Sequence, residues 1–250
     1  MSWVLDLDGV VWLGDAPLPG ASDAVRLLRE HGESLAFVTN NSYARRQDVA
    51  DKLGRHGIDA GTDVLTSAMA AAALIERGER VLVCGGPGVV EAVESAGGHA
   101  VLDAPADVVV VGYDPAFDYD RMRRAAAAVE RGARLVATND DATYPTPNGP
   151  VPGAGSILAS IVTAADARPT IAGKPNSPMA DLARRHVGIG GWVVGDRAET
   201  DGRFARALGF RFGLVLTGVT ARVDLPVDPS PDAVAADLLA LVEDQLGLRA

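Results

Sequence analysis

The stretch Val4-Leu5-Asp6-Leu7-Asp8-Gly9-Val10 constrains this chain more than any other. An apolar run enters two carboxylates spaced two residues apart, and then a glycine. Side chains two apart on a strand share a face. Asp6 and Asp8 therefore emerge together where the strand stops, and Gly9 lets the backbone turn sharply without a side-chain clash. Two acids this close repel each other unless a cation or a shared proton relieves them. Two readings fit the residues alone. One is a strand end with an acidic turn; the other is a cation-assisted site in which one carboxylate attacks and its neighbour moves protons. The second reading requires further groups from distant parts of the chain.

Three later strand ends carry such groups. Leu35-Ala36-Phe37-Val38 finishes in Thr39-Asn40-Asn41-Ser42, ahead of a helix expected over 45–56. Hydroxyl, amide and backbone N–H donors in that setting can hold an anion, although a polar turn with an N-cap fits the same residues. Ile171-Ala172-Gly173-Lys174-Pro175 sets a lysine at a strand end, and Pro178 opens a helix toward His186, as proline favours the first helical turn. Trp192-Val193-Val194 runs into Gly195-Asp196-Arg197-Ala198-Glu199-Thr200-Asp201-Gly202, a second acidic cluster before a helix at 203–208. In open parallel α/β sheets a ligand sits beyond the carboxyl ends of the strands, so the four groups are expected to face one crevice. Oxygen-only ligands suit Mg²⁺, which takes one or two carboxylates together with a substrate phosphate.

Strand and helix alternate through the rest of the chain. Strands are expected at 64–66, 81–83, 108–111, 134–138 and 212–216. Helices are expected from Ser22 or Asp23 to His31, and over 67–77, 89–96, 119–131, 156–165 and 232–246. Gly86 and Gly88 form only a fragment of a dinucleotide fingerprint, lacking its third glycine and downstream acid, and read as a tight turn. The Pro/Gly-rich interval Asn139–Gly155 reads as a binding loop, a lid element or a connector. The interval from Asn41 to Gly173 is too long for one crossover helix. A separate α/β domain over 80–168 is therefore expected, inserted into a core formed by 1–79 and 169–250.

Composition narrows the partners. A net charge of −10 argues against nucleic acid or an anionic membrane. The single cysteine, Cys84, cannot form an internal disulfide and fits a reducing compartment. Asp6 and Asp8 interrupt the apolar start, so no signal peptide is expected, and no apolar stretch is long enough to span a bilayer. The expected location is cytoplasmic.

At this point the sequence resembles the haloacid dehalogenase (HAD) superfamily, and within it the NagD-like phosphatases of subclass IIA that carry a C2-type cap. The matching residues are Asp6-Leu7-Asp8-Gly9-Val10 with Gly14 and Pro19-Gly20-Ala21, then Thr39-Asn40-Asn41, then Gly173-Lys174-Pro175. Gly195-Asp196-Arg197 with Thr200-Asp201, and Leu216-Thr217-Gly218-Val219-Thr220, complete the core set. In the middle, Val109-Val110-Val111-Gly112-Tyr113-Asp114, Ala137-Thr138-Asn139 with Asp141, and Pro152-Gly153 with Gly155 match the cap. The resemblance implies a Rossmann-like α/β/α core with a parallel sheet and an inserted α/β cap. It implies a Mg²⁺-dependent phosphomonoesterase for a small metabolite such as glycerol phosphate, phosphoglycolate, a sugar phosphate or a nucleotide. Asp6 would be the nucleophile and Asp8 the acid and base. Thr39, Asn40, Asn41 and Lys174 would hold the phosphoryl group, with Lys174 also balancing the charge on Asp6. Asp6, the Asp8 carbonyl and Asp196 would bind the metal, with Asp201 supporting metal or lysine. A homodimer through the cap is a further implication. A phosphotransferase on the same scaffold, or a silent phosphate-binding protein, remain the alternatives. Two departures stand out: Gly202 where a bulky apolar residue is expected, and Pro178 one residue later than the usual spacing.

Overall fold

Asp6 owes its position to the strand before it, Ser2–Leu5, whose side chains are all buried. In the protein's structure, a computed structural model that describes residues 1–146 and 149–248, this strand lies inside a six-stranded sheet. From one edge the order is Ala233–Ala235, Arg211–Val215, Gly191–Gly195, Ser2–Leu5, Ser34–Thr39, Val64–Thr66. The pairings from Ala233–Ala235 through Ser34–Thr39 are parallel, with Leu5 opposite both Val194 and Phe37. Trp3, Phe37, Val193 and Phe212 are buried, the near-continuous apolar character of strands covered on both faces. The chain steps outward from Ser2–Leu5 on one side, then returns to Gly191–Gly195 on the other and steps outward again. This reversal lies beside Ser2–Leu5, and Asp6 and Asp196 directly follow the two strands that flank it. Ligands in doubly wound sheets bind at such a switch.

The chain divides into two compact units. The first comprises 1–39, 49–65 and 174–250, and the second 40–48 with 66–173. These spans differ from the expected insertion at 80–168, since 40–48, 66–79 and 169–173 pack with the second unit. The reason is local. The short helix Ser67–Ala72 packs on Pro87–Ser95, and the two-residue strand Thr170–Ile171 pairs with Arg134–Ala137.

In the first unit, helix Ala21–Glu30 buries Ala21, Ala24, Val25 and Leu28, a stripe at three- and four-residue spacing. The expected cap at Ser22 or Asp23 is not used. Gly20, with a left-handed φ of 77°, holds the N-cap position, and Asp23 falls in the first turn, where its charge favours the helix dipole. The helix expected over 232–246 is corrected to a strand, Ala233–Ala235, followed by helix Leu238–Gln245. Asp237 sets that start, because its carboxylate accepts the Ala240 N–H at 2.8 Å, and the edge of the sheet takes Ala233–Ala235 ahead of it.

The second unit has its own parallel sheet, in the order Thr170–Ile171, Arg134–Ala137, Val108–Val111, Arg80–Cys84, His99–Val101. Leu82, Cys84, Val109, Val111 and Leu135 pack against Ala125 and Ala128 of helix Tyr119–Glu130 and Ile157, Leu158 and Ile161 of helix Ala154–Ala165. Gly88 is needed for close packing: its N–H bonds the Tyr43 carbonyl at 2.9 Å, and a Cβ there would lie 2.7 Å from the Ser42 carbonyl oxygen. The interval read as a loop, 139–155, contains an antiparallel pair, Thr143–Thr146 with Gly149–Pro152. Both strands of a two-stranded ribbon are edge strands, where proline is tolerated. Residues 147 and 148 of that interval lie outside the described residues. Among the described residues, no helix is long and apolar enough to cross a membrane.

Candidate active site

Four of the residues singled out from sequence come together at the carboxyl ends of the first unit's strands. The Lys174 ammonium lies 2.7 Å from Asp6 Oδ1 and 2.7 Å from Asp201 Oδ1. Lys174 and Asp201 are buried, while the Asp6 side chain keeps 14% of its surface exposed. One carboxylate oxygen from each of Asp6, Asp196 and Asp201 falls within 4.8 Å of the others.

Each group is held by its own element. The Asp6 N–H bonds the Val194 carbonyl at 2.9 Å, which extends the pairing of Ser2–Leu5 one residue beyond its last strand position. Asp196 follows Gly191–Gly195, and its Oδ2 accepts the Val219 N–H at 2.6 Å. The Thr220 hydroxyl donates to the Asp196 carbonyl at 2.6 Å, and the Thr217 hydroxyl to the Gly9 carbonyl at 2.5 Å. Asp201 sits in a single π-helical turn, Ala198–Gly202, and its Oδ2 accepts the Arg197 N–H at 3.2 Å. Such wide turns recur where a side chain must be aimed. Glycines make room for these acids. A Cβ on Gly9 or Gly218 would strike the Asp196 carboxylate, and one on Gly195 would strike that of Asp201. Gly9 in addition has φ +81°, the left-handed region in which a side chain is strained.

Gly202 also has a steric reason. A Cβ there would lie 2.8 Å from Pro229 Cγ and 3.0 Å from Phe212 Cε1. The bulky residue expected after Asp201 has no space, and the helix Arg203–Leu208 forms behind the glycine. Pro178 opens Ser177–Val187 within its first two positions, so its shifted spacing leaves that helix in place.

The remaining expected residues are distributed differently. Asp8 is exposed, and its Oδ1 accepts the Trp12 indole N–H at 3.0 Å. Thr39 is buried at the end of Ser34–Thr39. Asn40 and Asn41 belong to the second unit. There the Asn40 side-chain amide donates to Asp141 Oδ2 at 3.2 Å, and the Asn40 backbone carbonyl accepts from the Asn139 amide and the Ser67 hydroxyl. The Asn41 amide donates to the Tyr144 hydroxyl at 3.3 Å. Sequence reasoning assigned no role to Trp12, Thr217 or Val219. For Thr217 and Val219 a signal was present, since Phe212–Leu216 also ends in polar residues.

Three carboxylates surround one ammonium, and the imbalance shows in their protonation. Burial raises the Asp6 carboxyl well above its ordinary value; Lys174 opposes this, and Asp201 and Asp196 add to it. Burial and then Asp201 raise Asp196. Burial disfavours the Lys174 charge, but Asp201 and Asp6 outweigh it and hold the ammonium above its usual range. The cluster therefore fits a hard divalent cation: its donors are all oxygens, and its surplus negative charge calls for one.

The comparisons with known proteins agree with this fold. The family description "haloacid dehalogenase-like hydrolase" matches residues 3–99, and "HAD-hydrolase-like" matches residues 171–241. The chain is 34% identical to the 5'-nucleotidase YutF of Bacillus subtilis over 95% of each chain. It superposes on p-nitrophenyl phosphatase from Archaeoglobus fulgidus with a TM-score of 0.92, at 31% identity, covering 97% of this chain and 98% of that one. Glycerol phosphate phosphatase from Mycobacterium tuberculosis, solved in complex with magnesium, gives a TM-score of 0.88 at 35% identity, covering 96% of this chain and 75% of that one. The chain belongs to the haloacid dehalogenase-like hydrolases, in the NagD-like subclass IIA, with a Rossmann-like core and an α/β cap.

Proposed function

We propose that this hydrolase is a Mg²⁺-dependent phosphomonoesterase acting on a small phosphorylated metabolite through a phospho-aspartyl intermediate on Asp6. The observation that carries the proposal is the shared Lys174 ammonium, bonded to both Asp6 and Asp201 beside Asp196. A carboxylate between a lysine and a cation-binding cluster is suited to attack phosphorus, because phosphoryl transfer depends chiefly on positioning and charge neutralisation.

In the first half-reaction an Asp6 oxygen forms a bond to phosphorus while the bond to the leaving alcohol oxygen breaks, and Asp8 gives that oxygen a proton. In the second, Asp8 takes a proton from water as the water oxygen attacks phosphorus. The Asp6–phosphorus bond then breaks and inorganic phosphate leaves. Lys174 fixes one oxygen of Asp6 and offsets the charge of carboxylate and phosphate together. Thr39, the Asn40 backbone N–H and Asn41 are the proposed donors to the phosphoryl oxygens. Asp6, the Asp8 carbonyl and Asp196 would hold Mg²⁺, with Asp201 supporting metal or lysine. When bound, the cation supplies charge stabilisation at the phosphoryl oxygens.

The substrate class follows from the relatives. A 5'-nucleotidase, a p-nitrophenyl phosphatase and a glycerol phosphate phosphatase share the phosphate monoester and differ in the alcohol. Choice of the alcohol is assigned to the second unit. The test is phosphate release from nucleoside monophosphates, glycerol phosphate, phosphoglycolate and sugar phosphates, with and without Mg²⁺, for the wild type and Asp6→Asn. Turnover that needs Mg²⁺ and vanishes in the variant supports the proposal. Equal turnover by Asp6→Asn, or none from the wild type on any monoester, overturns it.

A further inference from the structure

Trp12 is buried, with 4% of its surface exposed, yet its indole N–H is not spent on the core. The indole N–H groups of the buried Trp3 and Trp192 find no acceptor among the described residues, whereas that of Trp12 donates to Oδ1 of the exposed Asp8, at 3.0 Å. The backbone reinforces the pairing. The Trp12 N–H bonds the Leu7 carbonyl at 3.1 Å and its carbonyl accepts the Gly9 N–H at 2.8 Å. Trp12 thus brackets Asp8 from both sides of the turn.

The ring is itself anchored. The Lys52 ammonium lies 4.2 Å from the ring centroid, a cation–π distance. The same ammonium bonds the Gly14 carbonyl at 2.5 Å and stands 3.6 Å from Asp15. The His56 ring packs at 5.9 Å. Lys52 therefore joins the hairpin Trp12–Leu13 and Ala16–Pro17 to helix Arg46–Arg55 through the face of this indole.

We infer that Trp12 is a positioning residue for Asp8: its indole N–H fixes the plane of the Asp8 carboxyl so that the free oxygen meets the leaving-group oxygen, and Lys52 fixes the indole. The inference rests on the acid–base role proposed for Asp8. An unanchored Asp8 side chain spreads over several rotamers, and proton transfer needs hydrogen-bond reach in the transition state. The consequence depends on the leaving group. An alcohol leaving as alkoxide requires the proton as the ester bond breaks, whereas 4-nitrophenolate leaves without it. A role in packing alone would affect both substrates equally.

The experiment measures kcat/KM, which reports only steps through formation of the phospho-enzyme, for glycerol phosphate and 4-nitrophenyl phosphate with the full chain and Mg²⁺. Trp12→Phe keeps an aromatic ring and deletes the N–H. Full acid–base catalysis supplies about 10²–10⁴-fold, so loss of its orientation is expected to lower the glycerol phosphate value roughly 10-fold and the aryl value less than about 2-fold. Lys52→Met, which leaves the indole N–H in place, should shift the ratio the same way by a smaller factor. It also provides a second variant if Trp12→Phe folds poorly. In an Asp8→Asn background, Trp12→Phe should change the ratio no further.

The inference is overturned if Trp12→Phe and Lys52→Met lower both substrates alike or leave the ratio unchanged while Asp8→Asn shifts it. A ratio unmoved by Asp8→Asn itself instead removes the acid–base role, and the inference falls with it.

Discussion

Lys174 is buried between Asp6 and Asp201, where a single positive charge faces three carboxylates. Removing one partner of a buried ion pair leaves charge uncompensated, which costs about 3–5 kcal/mol. Lys174→Met is therefore expected to lose about that much unfolding free energy in urea denaturation, and its phosphate release with it. Raising Lys174 above the ordinary 10.5 means that its contribution to stability is complete below that value and is lost only as pH rises through the higher folded value. It is intact at neutral pH. The acids act in the opposite sense. Asp6 and Asp196 have folded pKa values above the ordinary 3.8, so the proton-bound cluster is favoured at low pH. That stability is lost as pH rises through the raised values. In the proposed reading Mg²⁺ would replace the departing protons, so its stabilising effect should grow with pH. Thermal melts with and without Mg²⁺ from about pH 5 to about pH 8 should show an increasing difference. A difference that shrinks with pH would contradict this assignment of charge.

Among the elements, the π-helical turn Ala198–Gly202 shows which local preference prevails. Alanine is favoured over glycine by about 1 kcal/mol in a helix, but a Cβ at 202 would meet Pro229 and Phe212 at 2.8 and 3.0 Å. Overpacking costs about 1–3 kcal/mol, so Gly202→Ala should be destabilising in urea titration, against its helix propensity. The same contest explains what the sequence revealed and what it hid. Strand Val108–Val111 was legible because four valines admit few other readings. Strand Ala233–Ala235 was not, because its alanines suit a helix, and only pairing with Gly213–Val215 makes it a strand. Asp6, Lys174, Asp196 and Asp201 were visible as polar residues ending apolar runs. The Trp12–Asp8 hydrogen bond was hidden, because a tryptophan four residues after an acid reads as core. The need for Gly195 and Gly218 was hidden too, since close approach is a property of two segments far apart in the sequence.

At the scale of the molecule, the two compact units have separate cores, and Asp6, Lys174, Asp196 and Asp201 all belong to the first. A cation bound there stabilises that unit by about 2.7 kcal/mol at 100 times its Kd. Hydrogen exchange should accordingly slow at Asp6–Gly9, Asp196 and Val219 on adding Mg²⁺, and stay unchanged across Val108–Val111 in the second unit. The most direct test of the proposed chemistry is to trap the covalent intermediate. Enzyme turning over a phosphomonoester radiolabelled in its phosphoryl group, with Mg²⁺, is quenched in acid and divided: one portion is counted before and after hydroxylamine, and the other is reduced with borohydride and digested. An acyl phosphate on Asp6 predicts label that hydroxylamine removes, conversion of residue 6 to homoserine, and neither in Asp6→Asn. Phosphate release without label on the protein, or label retained in Asp6→Asn, would contradict nucleophilic attack by Asp6.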